Sequence, residues 1–187
     1  QPDYQYLETL FKDWQIVETD SQKVANILKD TPVALFQGRS EQGQRALGNR
    51  SLLMNPFNKS AVFEINNIKK REWYRPFSPS VTEEESNNYF HIKNTISPYM
   101  LYVFKTKQDL PSVSSINKLS RVHTVSKKQN KHYYDLLSKS NGMLLNTSLN
   151  FPGHVIVENL YDLKWMMKRS PLKYAWLPDI GKLIKKI

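Results

Sequence analysis

The residues best suited to chemistry in this sequence are basic, and they concentrate between Gln37 and Ser80. Arg39, Arg45, Arg50, Lys69, Lys70, Arg71 and Arg75 all fall there, interleaved with Gly38, Gly43, Gly48 and Pro76. Charge on an exposed helix is usually set at helical spacing beside an apolar stripe. Here the arginines lie in segments that read as turns. A planar guanidinium fixed by rigid neighbours matches the oxygens of a phosphate or carboxylate. The stretch therefore points to the binding of anionic groups and to chemistry on them.

Two later segments offer complementary groups. Thr147-Ser148-Leu149-Asn150-Phe151-Pro152-Gly153 is a polar loop directly after an apolar run, able to donate and accept hydrogen bonds. Arg121 opens Arg-Val-His-Thr-Val, which alternates like a half-buried strand and would set Arg121, His123 and Val125 on one face. Other chemistries lack their motifs: there is no phosphate-binding GxxxxGK[ST], no GxGxxG, no GxSxG and no HExxH. His91, His123, His132 and His154 are too scattered to suggest a metal site, and cysteine is absent. Ser148 has no evident base beside it to make it a nucleophile. Cations, hydroxyls and amides remain, the parts that phosphoryl or adenylyl transfer requires.

Composition agrees with an anionic partner. The formal net charge is +10 over 187 residues, with an apolar fraction of 40% that suits a folded domain. A basic nucleic-acid surface is the competing reading of that charge. No apolar run reaches membrane-spanning length and residues 1–20 lack a signal-peptide pattern, which fits a cytoplasmic protein. Gly181 to Ile187 is the plainest basic run and reads as a solvated tail.

The elements that must position these groups follow from periodicity and caps. Residues 3–14 read as an amphipathic helix, and 21–30 as a second one capped by Thr19, Asp20 or Ser21. Residues 33–38 and 51–54 read as strands, the first delivering Arg39 and Glu41 to its C-terminal edge, where α/β folds commonly bind ligands. Residues 58–70 read as a helix, with Lys69, Lys70 and Arg71 at its C-terminal exit. Beyond it, 83–90 is a short helix, 99–104 is β-like, 131–139 is a helix, 143–146 and 155–157 are strands, and Asn159 caps a helix to 170. Tyr174 to Leu177 reads as a last edge strand. The pattern predicts one α/β (α+β) domain around a mixed sheet over 21–187, with 1–20 a connector or N-terminal helix from an upstream domain.

The words GRSEQGQRALGNRSLL, NNIKKREWYRPFSPSV, SRVHTV and LLNTSLNFPGHVIV resemble, in order, the C-terminal domain of the O-carbamoyltransferases, the family of nodulation protein U and of the cephalosporin and tobramycin carbamoyltransferases. The resemblance runs from about Val33 onward. It implies a YrdC-like fold, a twisted open mixed sheet with a concave ligand face flanked by helices. It also implies carbamoyl phosphate and ATP as substrates, with Mg²⁺, joined into carbamoyl adenylate. An actin- or sugar-kinase-like N-terminal transfer domain, with Fe²⁺ or a similar metal of its own, would then carbamoylate an acceptor hydroxyl, and a homodimer is compatible with the family. Carried over by motif, Lys69, Arg75 and Arg121 are expected to be catalytic. Arg45, Arg39, Asn49, Arg50, Ser51, Ser148 and Asn150 are expected to bind substrate or nucleotide, and no metal ligand is expected in this domain. Glu41 is expected to pair with one of the arginines. The chain departs from the family where SSINKLSRVHTV replaces HVDGTARVQTV, and where Leu149 and His154 replace Phe and Glu. The alternative is a non-catalytic module of the same fold that docks a partner domain or binds RNA or nucleotides.

Overall fold

A computed structural model describes residues 2–43, 45–72 and 74–187. Six helices appear among them: α1 (Leu7–Leu10), α2 (Ser21–Leu28), α3 (Ala61–Lys69), α4 (Ser86–Tyr89), α5 (Lys131–Lys139) and α6 (Leu160–Lys168). The strands are β1 (Gln15–Glu18), β2 (Val33–Phe36), β3 (Arg50–Met54), β4 (Ser78–Thr82), β5 (Val103–Lys105), β6 (Leu119–Arg121), β7 (His123–Val125), β8 (Met143–Ser148), β9 (Tyr174–Leu177) and β10 (Lys182–Lys185). Eight of them form one sheet in the order β1-β10-β9-β2-β3-β8-β4-β7, while β5 and β6 form a separate ribbon. The β2–β9 and β4–β7 pairs are parallel and the other pairs antiparallel, so the sheet is mixed as expected.

Strand periodicity explains the two-sided core. Val33 and Leu35 of β2 join Leu53, Leu144, Leu137 and Val24 on the face covered by α2 and α5. Ala34 and Phe36, one residue out of phase, join Leu52, Met54, Leu145, Ile65 and Leu163 on the face covered by α3 and α6. A strand apolar at every position is what burial on both faces demands. The helices start where their caps direct. Asp20 accepts from the Lys23 N–H, Asn130 accepts from the Tyr133 N–H, and Asn159 forms a reciprocal capping box with Asp162.

Several expectations need correction. The helix read over 3–14 contracts to Leu7–Leu10. Leu7 and Phe11 still reach the core, but Gln15–Glu18 is drawn into β1 by pairing with β10. The basic run at 181–187 is no solvated tail. Leu183 and Ile184 are buried, β10 lies inside the sheet, and Lys186 Nζ donates to the Met167 and Ser170 carbonyls at the end of α6. Tyr174–Leu177 is consequently an interior strand. Residues 155–157 are not a strand. Val155 is 89% exposed, and the segment closes back through the Val157 N–H to the Leu149 carbonyl. Arg121, His123 and Val125 do not share a face either, because the chain leaves the small ribbon and enters the large sheet at Val122. Arg121 stays exposed while His123 is buried.

The turn before β3 requires glycine. Gly48 has φ +102°, and a Cβ there would lie 2.2 Å from Cδ1 of the fully buried Tyr133. Gly43, with φ +113°, has no heavy atom within 4 Å of the same position. Gly48→Ala should therefore lower unfolding stability by at least about 2 kcal/mol more than Gly43→Ala, since both carry backbone strain but only one overpacks the core. Urea denaturation of the two variants measures the difference.

Candidate functional site

The chain turns sharply at the end of α3. Lys70 adopts the left-handed conformation (φ 49°, ψ 44°) and its N–H closes on the Asn66 carbonyl. Arg71, Arg75, Pro76 and Phe77 form one wall of a cleft of about 550 Å³. The opposite wall is the β5–β6 ribbon, whose register sets Arg121 across from Val103. The floor is the end of β8, with Asn146, Thr147 and Ser148. Four guanidinium groups line this space: Arg45, Arg71, Arg75 and Arg121. Among the described residues no carboxylate lines it. An adjoining cavity of about 490 Å³ shares Arg45, Met100 and Arg121 and is walled by Tyr99 and Leu101.

The electrostatics are those of crowded like charge. Desolvation and the neighbouring Arg121 lower the Arg45 pKa, and desolvation and Arg75 lower that of Arg71. An ion pair at this wall joins Arg75 Nη1 to Glu72 at 3.2 Å, and both side chains are more than half exposed. Such a pair is weak and leaves the positive field largely uncancelled. A bound polyanion would relieve the repulsion and form charge-assisted hydrogen bonds.

Arg71 was not among the expected site residues. Its Nη2 donates to the carbonyls of Arg75 (3.0 Å) and Pro76 (2.8 Å), and its guanidinium carbon sits 4.5 Å from the Phe77 ring centroid. It braces the turn that presents Arg75 while facing the cleft itself. The signal available in the sequence was the unbroken Lys69-Lys70-Arg71 run, in which only the side-chain directions distinguish the three. Trp73, between these residues, lies outside the described residues, as does Gln44.

Lys69 stands behind the cleft. It is 4% exposed, and Nζ lies 2.6 Å from the Ser148 carbonyl, 3.2 Å from Ser148 Oγ, 2.7 Å from the Asn150 carbonyl and 2.7 Å from Asn150 Oδ1. Ser148 Oγ donates to Asn150 Oδ1 at 2.7 Å, and Asn150 Nδ2 donates to the His154 carbonyl. The ammonium thus fixes the whole Ser-x-Asn turn. Burial, and secondarily Arg71, push the Lys69 pKa down to about 7.

The remaining expected residues belong to a framework beside the cleft. Arg50 is 1% exposed. Its Nη1 donates to the carbonyls of Gln37 (2.5 Å) and Asn49 (2.9 Å), and Nη2 to those of Gly38 (3.3 Å) and Glu158 (3.0 Å). The guanidinium also stacks on Phe36 at 3.9 Å. Arg50 does not line the cleft, and its terminal nitrogens brace the backbone beside it, whereas Nε has no partner among the described residues. Ser51 is fully buried and accepts from the Gly48 N–H. Asn49 bridges the Arg39 carbonyl and Asn130 Nδ2, and Arg39 itself is exposed away from the cleft lining. Glu41 forms no side-chain ion pair with an arginine in the described contacts. Its carboxylate accepts the backbone N–H groups of Leu47, Asn49 and Arg50 and so shapes the loop that carries Arg45.

His123 lies beneath the floor. Its Nδ1 is 2.8 Å from Ser80 Oγ, which also accepts from Asn146 Nδ2. Burial drives its pKa down to about 3, so the ring is neutral at physiological pH.

A proton balance tests the Lys69 arrangement. The folded pKa lies far below the unfolded one, so the unfolded chain binds more protons between about pH 7 and 10.5. Stability should rise with pH across that window, and this rise should shrink in Lys69→Met. An anion bound across Ser148 favours the ammonium. Binding of sulfate, which does not titrate near pH 8, should therefore take up a fraction of a proton, seen as a calorimetric enthalpy that varies with the buffer, and Lys69→Met should abolish the variation.

The comparisons with known proteins converge on one family. The family model described as carbamoyltransferase C-terminus matches residues 24–184. The nodulation protein NolNO of Sinorhizobium fredii is 40% identical over 142 residues, covering 70% of this chain and 21% of that protein. The 3'-hydroxymethylcephem-O-carbamoyltransferase of Amycolatopsis lactamdurans is 40% identical over 138 residues, covering 70% of this chain and 26% of that protein. The chain thus spans about a quarter of the length of the curated relatives it matches. Full-length HypF, solved in a phosphate- and nucleotide-bound form, superimposes with a TM-score of 0.56 at 20% identity, over 83% of this chain and 21% of HypF. At that identity the likeness concerns the fold, and it supports the YrdC-like architecture.

Proposed function

The chain belongs to the carbamoyltransferase C-terminus family, and on that premise we propose that its arginine-lined cleft activates a carbamoyl group as carbamoyl adenylate. One observation carries this reading. Arg45, Arg71, Arg75 and Arg121, brought from three separate regions of the chain, line a single cleft whose floor includes Ser148. Such a cavity selects substrates rich in anionic oxygen. It can neutralise charge at a transferring phosphorus while the ribbon wall restricts water.

The substrates are carbamoyl phosphate and ATP. Carbamoyl phosphate takes up one water and divides into carbamate and phosphate. A carbamate oxygen then attacks the α-phosphorus of ATP. The bond from that phosphorus to the oxygen bridging it to the β-phosphorus breaks, and pyrophosphate leaves. Arg75 and Arg121, on opposite walls, hold the phosphoryl oxygens, and Arg45 steadies the carbamoyl end. Ser148 donates its hydroxyl proton to Asn150 Oδ1 and would turn that proton toward the nucleotide phosphates on binding, while Lys69 keeps the turn in place. No nucleophilic side chain is required. The cleft does not fit a cation held by protein carboxylates, because none lines it among the described residues. Any magnesium would be held by the nucleotide's own phosphates. The adenylate is then consumed by an N-terminal transfer domain that carbamoylates an acceptor hydroxyl, a role consistent with the much greater length of the relatives.

Pyrophosphate release in the presence of ATP, Mg²⁺ and carbamoyl phosphate, with and without a transfer domain, tests the proposal. Arg75→Ala and Arg121→Ala should each lower the rate about a hundredfold or more, as expected for losing a donor to developing charge. A folded protein that binds no nucleotide at millimolar ATP would overturn it. So would RNA binding that rises steeply at low salt and disappears in Arg45→Ala while ATP has no effect.

A further inference from the structure

One side chain on the cleft floor has no part in the steps above. Asn146 lies within β8, paired with Leu53 of β3 on one side and Ser78 of β4 on the other, and it is 2% exposed. Its amide is held from beneath. Nδ2 donates to the Ala46 carbonyl at 2.8 Å and to Ser80 Oγ at 2.9 Å, and Ser80 Oγ lies 2.8 Å from Nδ1 of the buried His123. A carbonyl can only accept, so the bond to Ala46 fixes which end of the amide is nitrogen. The other end, Oδ1, is buried and has no hydrogen-bond partner among the described residues. Buried amide oxygens are nearly always paired, because leaving one unpaired is costly. This exception belongs to a residue that lines the cleft. With Nδ2 turned to Ala46 and Ser80, Oδ1 is the amide atom left to meet a ligand.

Its surroundings narrow the donor it can take. The guanidinium groups of Arg45, Arg71, Arg75 and Arg121 supply donors to the cleft and no acceptor. Ionised phosphate and carboxylate oxygens are acceptors, which suit those arginines and would oppose Oδ1 lone pair to lone pair. In carbamoyl phosphate the hydrogens are on the amino group. On the reading of the cleft given above, on which this assignment rests, we propose that Asn146 Oδ1 accepts a hydrogen bond from the amino group of the carbamoyl substrate. Through that bond the cleft selects a carbamoyl group over an acyl group of the same size.

The bond from Asn146 to the Ala46 carbonyl ties this acceptor to the loop that carries Arg45. A donor and an acceptor so linked match the oxygen and the amino group of one planar carbamoyl. Acetyl phosphate differs from carbamoyl phosphate by a methyl group in place of the amino group. In the same pose it covers Oδ1 and offers no hydrogen, and a site built around such a bond rejects the analogue that lacks it. Ser80 is a positioning residue in this scheme. Its hydroxyl takes one amide hydrogen and resists rotation of Oδ1 away from the substrate.

Calorimetric titration of the whole chain with freshly prepared carbamoyl phosphate, with acetyl phosphate and with inorganic phosphate separates the amino group from the phosphate. The unmodified protein should bind carbamoyl phosphate about tenfold or more tighter than acetyl phosphate, as expected when a buried acceptor is left unpaired. Asn146→Ala should abolish that preference by weakening carbamoyl phosphate, and leave inorganic phosphate unchanged. Ser80→Ala, which removes a single oxygen from a fully buried side chain, should narrow the preference in the same direction and decides the matter if Asn146→Ala fails to fold. Equal affinity of the unmodified protein for carbamoyl phosphate and acetyl phosphate would overturn the assignment. An undiminished preference in folded Asn146→Ala, or in Ser80→Ala should the first variant not fold, would do so too. Either result, with the phosphates still bound, would leave the reading of the cleft standing. Failure of the unmodified protein to bind any of the three ligands would remove that reading and the assignment together.

Discussion

A single buried guanidinium sets the conditions for the rest of the molecule. Arg50 begins β3 at the centre of the sheet, with four peptide carbonyls around its two terminal nitrogens and the Phe36 ring against its face. Taking this cation out of water is costly, and burial accordingly depresses its pKa. The carbonyls offset that cost only if Gln37, Gly38, Asn49 and Glu158 hold fixed positions. The requirement is reciprocal. One side chain locks the exit of β2, the entry to β3 and the segment that leads into α6. The loop bearing Arg45 hangs between the first two of these, with Glu41 gathering its N–H groups from within.

The cleft depends on this rigidity because its own charges oppose one another. Four guanidinium groups sharing one space repel, and without a bound anion each would turn toward solvent if its backbone allowed. The fold counters this with braces that are themselves cationic. Arg71 bonds the carbonyls on either side of the Arg75–Pro76 link, and Lys69 bonds those of Ser148 and Asn150. Carbonyl oxygens satisfy these cations without cancelling the charge, as carboxylates would. The positive potential is therefore left for a ligand.

The sequence made legible what depends on local pattern. The strands read at 33–38 and 51–54, the first of which ends at Phe36, the helix at 131–139 and the cap at Asn159 followed from periodicity and turn chemistry, and their apolar residues lie where burial requires. The gathering of Arg45, Arg75, Arg121 and Ser148 around one space was expected from the resemblance of their flanking words, and spacing alone could not have located it. What failed had little local signature. The run Lys182-Leu183-Ile184-Lys185 offers two apolar residues among lysines, and only pairing with distant strands makes it β10. Arg50 and Arg75 are the same residue type in similar turn-rich company. One is sealed beneath carbonyls and the other projects into a cleft, a difference fixed by tertiary contacts. Arg121 and His123 were assigned to one face because alternation cannot reveal that a chain changes sheets at Val122.

The position of β10 within the sheet has a consequence for synthesis. Gln15 pairs with Lys185 and Glu18 with Lys182, so the edge strand β1 has no partner until residues at the opposite end of this sequence have left the ribosome. Pairings of such sequence separation form slowly, and transiently unpaired strands are prone to wrong association. During translation Ile16 and Val17 must wait through the emergence of every other strand of the sheet. A nascent chain stalled before residue 182 would expose β9 as an open edge, making that interval the one in which chaperone protection matters most.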